Sequence, residues 1–419
     1  MEKTYTYYQP EYVSKFKCDG KACKAHCCKR SWEVLINKST YKKYSHLKPK
    51  SAAKEITDHI TRLKLDGEDK GYKIIKDMDG VCPFLADNLC SLRKKYGAEF
   101  LPEGCATYPR VTWNLGKYYE RSLMLSCPLV AVNVLLETEP LKFETIQVPK
   151  KIHDNLGKID ILFSMVPYDL FGKMRFIQET AIGLLQNRNF TINQRLMLLG
   201  FYFEKLQNLL TYDEFNKLEQ LNVDYKDSTF LQEQVNNFPN RITFDVNEHL
   251  QIMSEVLKTL YGTDNLTPHD RKFFYTIVEV FQLQLDETGK ISSVFEFTRK
   301  YTEMEKAIKM FSQYSSNIFE NYLVNEFFLN VYPFKFKGSI SYNYGVFLTI
   351  YKLMELITFS MSIQHFFKEN TLPGKDDLIA IIMAHLNDIN HTPSYVNKIS
   401  ECLKGKNNMT EILQSMLQV

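Results

Sequence analysis

The run Phe16-Lys17-Cys18-Asp19-Gly20-Lys21-Ala22-Cys23-Lys24-Ala25-His26-Cys27-Cys28 sets four cysteines into eleven positions. Cys82, Cys90, Cys105 and Cys127 follow, so eight of the nine cysteines fall in the first 127 residues, and only Cys402 lies beyond them. Core packing gives no reason to concentrate small sulfur side chains in one third of a chain. Soft thiolates gather in this way to hold a metal or a cluster, or to form a disulfide net.

A disulfide net suits small domains in oxidising compartments. The opening Met1-Glu2-Lys3-Thr4-Tyr5-Thr6-Tyr7-Tyr8 has no basic stretch followed by an apolar run, so no secretory signal is expected and a cytoplasmic location is. A chain of 419 residues, 44% of them hydrophobic, buries its own core without staples. Vicinal Cys27 and Cys28 also fit two separate disulfides poorly. Metal or cluster ligation is the expected use of these thiols.

Overall charge is +3, which argues neither for nor against nucleic acid, and no nucleic-acid partner is expected. Its distribution says more. Residues 1–130 hold 24 Lys and Arg against 15 Asp and Glu, whereas residues 131–419 hold 28 against 34. The basic third is the cysteine third, and local cations stabilise thiolates; a solvated basic face is the alternative reading. No membrane span is expected. The best stretch, Tyr344 to Phe367, is interrupted by Lys352 and Glu355, which leaves too short a run to cross ~30 Å of hydrocarbon. A buried helix is the better reading.

The pattern predicts a mainly α protein. Residues 1–140 read as a cysteine-rich, irregular α+β region, and residues 141–419 as an all-helical domain. Lys73-Ile74-Ile75 and Arg121-Ser122-Leu123-Met124-Leu125 read as short strands between turn signals such as Asp79-Gly80 and Pro102-Glu103-Gly104. Cys127-Pro128 opens a helix through about Glu137, with proline in the first turn. Thr267-Pro268-His269-Asp270 is a second helix start. Behind it Phe273, Phe274, Ile277, Val278 and Phe281 share one face. Ile318, Phe319, Tyr322, Leu323 and Phe327 repeat the spacing, as do Leu196, Leu199, Phe203 and Leu206. These stripes predict core.

Several familiar sites are absent. No two glycines stand two residues apart, so there is no Gly-x-Gly nucleotide loop. There is no His-Glu-x-x-His helix and no Gly-x-Ser-x-Gly elbow. The spacing Cys-x4-Cys-x3-Cys-Cys fits paired zinc knuckles loosely, because two vicinal cysteines do not easily bind one tetrahedral ion. Four thiolates also make an iron–sulfur site. The Cys-x3-Cys-x2-Cys signature of radical S-adenosylmethionine enzymes is not matched.

The cysteine run resembles a known pattern once the later segments are read with it. Cys82-Pro83-Phe84-Leu85 with Cys90, Cys105-Ala106-Thr107-Tyr108-Pro109-Arg110 and Ser126-Cys127-Pro128 occur in the same order in bacterial flagellin lysine-N-methylases, within the wider CxxCxxCC cysteine-cluster family. Gln186-Asn187-Arg188, Gln194-Arg195-Leu196-Met197-Leu198-Leu199-Gly200 and Asn321-Tyr322-Leu323-Val324-Asn325-Glu326-Phe327-Phe328 through Pro333-Phe334 resemble the same branch. The spacing of the first cysteines is the departure.

The resemblance implies methyl transfer from S-adenosylmethionine to lysine ε-amino groups of flagellin. It also implies a cysteine-bound metal centre, with a 4Fe-4S iron–sulfur cluster preferred and zinc as the alternative. Candidate metal ligands are Cys18, Cys23, Cys27, Cys28, Cys82, Cys90, Cys105 and Cys127. Transfer needs a neutral amine in line with the methyl group, and tyrosines suit that task. Tyr108 and Arg110 are the catalytic candidates; a structural turn that fixes Cys105 is the bland reading of the same segment. Arg121 is the candidate for the donor's carboxylate, with a core-capping arginine as its bland reading. His26 can ligate a metal or hydrogen-bond a sulfur. The rival function is a zinc- or iron-binding interaction module whose metal is structural and which has no catalysis.

Overall fold

The computed structural model describes residues 3–237 except 21, 24, 25, 30, 31, 66, 67, 151–158 and 161–171, and then 256, 257, 259, 268–285, 287, 305–369, 371–391 and 393–403. The chain divides into two compact units. The first comprises residues 1–133 and 142–160, the second 134–141 and 161–419.

Strand β1 (Thr4–Pro10) opens the first unit. Its Thr-Tyr-Thr-Tyr-Tyr run is rich in residues that pack well on a pleated surface. Helix α1 (Glu11–Lys15) follows. A three-stranded sheet is built from β2 (Leu35–Ile36), β3 (Ile60–Leu65) and β4 (Glu68–Ile74), in the order β2-β4-β3. Helices α2 (Lys38–Ser45) and α3 (Lys50–Thr57) lie between its first two strands in sequence. Asn37 caps α2, accepting from the Thr40 amide at 2.8 Å, the role that short polar side chains fill at helix starts. Val34, Ile36, Tyr44, Ile56, Ile74, Phe84 and Leu92 form the core here, together with Cys82.

A hairpin of β5 (Leu85–Ala86) and β6 (Leu89–Cys90) comes next. Its two loop residues, Asp87 and Asn88, have φ of 52° and 58°, the left-handed pair that a tight hairpin turn demands. Helices α4 (Ser91–Tyr96) and α5 (Glu103–Thr107) lead into β7 (Arg110–Asn114) and β8 (Tyr119–Leu123). Helix α6 (Pro128–Leu135) starts at the predicted proline. Strands β9 (Phe143–Pro149) and β10 (Ile159–Asp160) come after residue 140 and return to the first unit. They complete a five-stranded sheet of order β10-β7-β8-β1-β9. In it β1 runs parallel to β8 and antiparallel to β9, so Tyr7 lies across from Tyr119 on one side and Ile146 on the other. Alternation divides the aromatics between faces. Tyr7 stacks on Tyr119 at 5.0 Å, while Tyr8 stacks on Phe143 at 5.5 Å.

From Met174 onward the described residues of the second unit are mainly helical, with turns and a single bridge residue at Leu285 between the helices. Its helices are α7 (Met174–Leu185), α8 (Ile192–Thr211), α9 (Leu218–Asp224), α10 (Ser228–Asn236), α11 (Pro268–Phe281), α12 (Glu305–Leu329), α13 (Ile340–Glu369), α14 (Lys375–His391) and α15 (Pro393–Cys402). The three predicted stripes are core: of their residues only Val278 is half-buried and the rest are buried. The cap Thr267 lies outside the described residues. Helix α13 is long and apolar enough to cross a membrane, yet 89% of its most apolar window is buried inside the protein. A helix apolar all round is what a core position asks for. The two charges that interrupt it are paired: Lys352 Nζ lies 2.8 Å from Glu355 and 3.0 Å from Asn193 Oδ1.

Glu320 anchors this unit. It is 1% exposed, and a carboxylate so buried needs partners on both oxygens. Arg188 grips it with Nε and Nη2 at 2.8–3.1 Å, and Arg195 Nη1 reaches the second oxygen at 2.7 Å. The arginines spread the constraint outward. Arg188 Nη1 donates to the Thr138 carbonyl at 2.7 Å, and Arg195 donates to the carbonyls of Phe190 and Leu185. Thr191 and Gln194 form a reciprocal capping box at the start of α8. Replacing Glu320 with alanine strands two arginines, and urea unfolding should show a loss of about 3–5 kcal/mol. A loss under about 1 kcal/mol would show that the clamp does not anchor the unit.

His385 is wholly buried, with its ring edge-on to Phe273 at 6.0 Å. Burial pushes it down to about 3 from an ordinary 6.5. With its folded value depressed, its contribution is complete above pH 6.5 and is lost as pH falls toward 3. His385→Leu should therefore flatten the fall of melting temperature across that window. An equally steep fall in the variant would show that other groups drive the acid transition.

Candidate functional site: the cysteine cluster

All nine cysteines are free thiols. In the first unit the fold gathers eight of them into two overlapping groups. The first group is Cys28, Cys82, Cys90 and Cys105. The Cys82 amide donates to the Cys28 carbonyl at 2.8 Å, which joins the N-terminal run to the second segment. The tight turn at Asp87-Asn88 then sets Cys90 across from Leu85, and Lys29 Nζ fastens the turn at the Asn88 side chain, 3.0 Å away. Cys105 comes from α5. As a residue it is exposed, but burial of its sulfur, then the charges of Cys82, Cys27 and Cys90, push its thiol up to about 12. Burial also raises Cys82. Lys76 stands among Cys82, Cys105, Cys28 and Cys27, and burial lowers its own value.

Cys18, Cys23 and Cys127 form the second group. Cys127 is pushed up to about 11, first by burial and then by the charges of Cys23 and Cys18; the Val130 and Leu129 amides at the start of α6 work the other way. Cys18 is raised by burial and then by Cys27 and Cys23, and a hydrogen bond with Arg93 opposes this. Arg110 lies within the field of Cys18 and Cys127, over the Phe16 ring at 5.1 Å. Cys27 stands between the groups. It shares a hydrogen bond with Cys28, which lowers Cys27 and raises Cys28.

The donor set fits a thiolate-bound centre in type, in number and in its flanking cations. Among the described residues no three His, Cys, Asp or Glu side chains converge closely enough to hold a single ion. A zinc ion needs four ligands at about 2.3 Å from one point. A four-iron cluster takes its four thiolates on different irons, so its ligands stand farther apart.

The other candidates fall on both sides of their readings. Tyr108 ends α5, and its hydroxyl lies 3.2 Å from Ser126 Oγ, one residue before Cys127. Its ring meets Trp32 edge-on at 5.0 Å, and Lys76 Nζ lies 6.0 Å from the Trp32 ring. Tyr108 thus links the end of α5, through its amide hydrogen bond to the Gly104 carbonyl, to the Ser126-Cys127 step. Arg121 is buried on β8 over Tyr7. The side chain of His26 lies outside the described residues. Lys76, Arg93, Trp32 and Tyr7 are neighbours of the site that the sequence reading did not single out. Only the basic balance of residues 1–130 pointed toward the two cations.

In the second unit, Glu326 and the hydroxyls of Tyr322 and Tyr332 are likewise buried together, and burial raises all three. Lys335 reaches this group through Asn330. These residues belong to the Asn321–Phe328 run and its continuation.

Two measurements check the site. Thiol counting on metal-free protein in denaturant, without reductant, should return nine, and seven or fewer would reveal a disulfide. Tyr108→Phe should cost about 1 kcal/mol through the lost bond to Ser126; unchanged stability would show that the contact props nothing.

The sequence model of the FliB lysine N-methylase C-terminal domain matches residues 178–418. A lysine-N-methylase of Salmonella typhimurium is 34% identical over 140 residues, 33% of this chain and 35% of that protein. A lysine-N-methylase of Salmonella choleraesuis matches at the same identity and coverage. The flagellar biosynthetic protein FliU of Salmonella muenchen is 33% identical over 140 residues, which is 82% of its length. The chain therefore spans about a third of the length of the two lysine-N-methylases it matches. No solved structure matches the chain. With a domain match across more than half of its residues, this chain belongs to the FliB lysine N-methylase family.

Proposed function

We propose that the protein transfers the methyl group of S-adenosylmethionine to lysine ε-amino groups of flagellin, in a site built on the cysteine-bearing unit. The match to the lysine N-methylase domain over residues 178–418 carries this reading. The flagellar name of one relative supports flagellin as the protein substrate. Nine free thiols support a reducing, cytoplasmic setting.

The chain's own residues have three tasks. The substrate amine must be neutral and in line with the methyl group. Tyr108 offers a phenol that can accept an N–H from the amine, and its edge-on partner Trp32 offers a ring face for a cationic methyl group. Arg110, half-buried beside Cys18 and Cys127, supplies a fixed positive charge. Cys28, Cys82, Cys90 and Cys105 would hold an iron–sulfur cluster, with Cys18, Cys23, Cys27 and Cys127 left for a second centre or for chemistry. A bound cluster supplies Lewis-acidic, redox-active iron.

Anaerobically purified protein should contain iron and sulfide, absorb in the visible range, and methylate flagellin with labelled S-adenosylmethionine. Cys90→Ser should lose the iron and at least about tenfold in methylation rate. Cys402→Ser should change neither, since Cys402 lies in the helical unit against Thr259 at 3.5 Å. A folded Cys90→Ser protein that lacks iron yet methylates at the normal rate would leave the metal as scaffold. Iron-replete protein with no transfer to flagellin would favour the interaction module instead.

A further inference from the structure

Arg121 is a buried cation on β8. It sits on β8 directly across from Thr112 of β7, on the sheet face that also carries Tyr7 and Tyr119. The residue is 9% exposed, and its guanidinium carbon lies 4.3 Å from the centre of the Tyr7 ring. Its Nε and Nη2 are buried and have no hydrogen-bond partner. Among the described residues no carboxylate pairs with it. Strand alternation turns the neighbouring Glu120 to the opposite face, where it accepts from the Tyr118 hydroxyl at 3.2 Å. Glu144, on β9, is taken by Gln9 and Ser14. After burial, its main electrostatic partner is Tyr7, which also hydrogen-bonds the guanidinium, and the cation Arg110 opposes its charge.

Burying a charge costs several kcal/mol unless hydrogen bonds and an opposite charge offset it. The two idle donors are also a matched pair. Nε and Nη2 form the edge of the guanidinium that meets both oxygens of a carboxylate at once. Arg188 uses the same edge on Glu320 in the second unit. An arginine with this edge free, backed by an aromatic ring and supported by a second arginine, is built to receive a small carboxylate.

We propose that Arg121 binds the carboxylate at the amino-acid end of S-adenosylmethionine, with Tyr7 holding the guanidinium plane and Arg110 adding to the positive field. This rests on the methyltransferase reading. Because Arg110 also senses Cys18 and Cys127, the donor's amino-acid end would lie on the side of the second thiol group.

The test compares S-adenosylmethionine with its decarboxylated analogue, which keeps the sulfonium and lacks the carboxylate. Affinities are measured by equilibrium dialysis on the full chain and on Arg121→Met, a variant of similar length without charge. The unmodified protein should bind S-adenosylmethionine about 10–100-fold more tightly than the analogue, the span of a charge-assisted hydrogen-bonded pair. Arg121→Met should bind the two alike, and Arg121→Lys should restore part of the discrimination. Without ligand, Arg121→Met should melt no lower than the unmodified protein, because an unpaired buried charge has been removed. Discrimination that survives in Arg121→Met, or its absence in the unmodified protein, would overturn the assignment and leave the methyltransferase reading standing. A large loss of melting temperature in Arg121→Met would make the arginine structural and overturn it as well. Failure of the unmodified protein to bind either compound would instead sink the methyltransferase reading.

Discussion

Glu320 is a carboxylate inside a helical core, and the second unit is organised around keeping it satisfied. Two arginines from different places in the chain must reach it together. One is in the loop after α7 and the other in the first turns of α8. Their remaining donors are spent on backbone carbonyls, so the loop between these helices is held along with the short segment 134–141. Asn321, the next residue, donates to the Glu137 carbonyl at 2.7 Å. One buried charge thus fixes an interhelical loop, a crossing segment and the face of α12. Apolar side chains give such a bundle cohesion, and directional contacts of this kind fix one arrangement.

The first unit faces the opposite electrostatic problem. Burial, and after it the neighbouring thiolates, oppose ionisation of Cys18, Cys82, Cys105 and Cys127, whereas the hydrogen bond from Cys28 favours it at Cys27. Lys76, Arg93 and Arg110 stand where they offset the accumulated charge. Without a ligand, the protonated form is favoured at those four thiols. Binding a metal or a cluster would release those protons and hand the negative charge to a centre that the cations already surround. The charge imbalance of residues 1–130 is therefore part of the site as well as a property of the surface.

Much of this was legible in the sequence, for identifiable reasons. The helical stripes around Leu196, Phe273 and Phe319 could be read because burial in a helix imposes a 3.6-residue period. The β8 strand and the start of α6 could be read because Arg121–Leu123 and Pro128 carry strong local signals. The cysteine grouping was visible as density, but its division into two groups was not. That division depends on the Asp87-Asn88 turn and on the backbone bond from Cys82 to Cys28, neither of which leaves a period in the sequence. Lys76 and Arg93 were hidden among 24 basic residues in the same region. Glu326 does not read as chemistry in the sequence, because a polar residue inside a helix looks like a surface residue until its neighbours are known. Arg121 was noticed for its charge; its idle edge could only be seen in three dimensions.

The position of β1 has a consequence for how the protein is made. The strand precedes both of its partners by a long stretch of chain, β8 ending at Leu123 and β9 at Pro149. Pairings so distant in sequence are slow to form. For most of the synthesis of the first unit, the N-terminal strand and the thiols of Cys18 to Cys28 wait in an incomplete fold. During that interval an unpaired strand edge and reactive sulfurs are exposed together. The nascent chain is thus open to misassociation and to oxidation until about residue 149 is available to close the sheet.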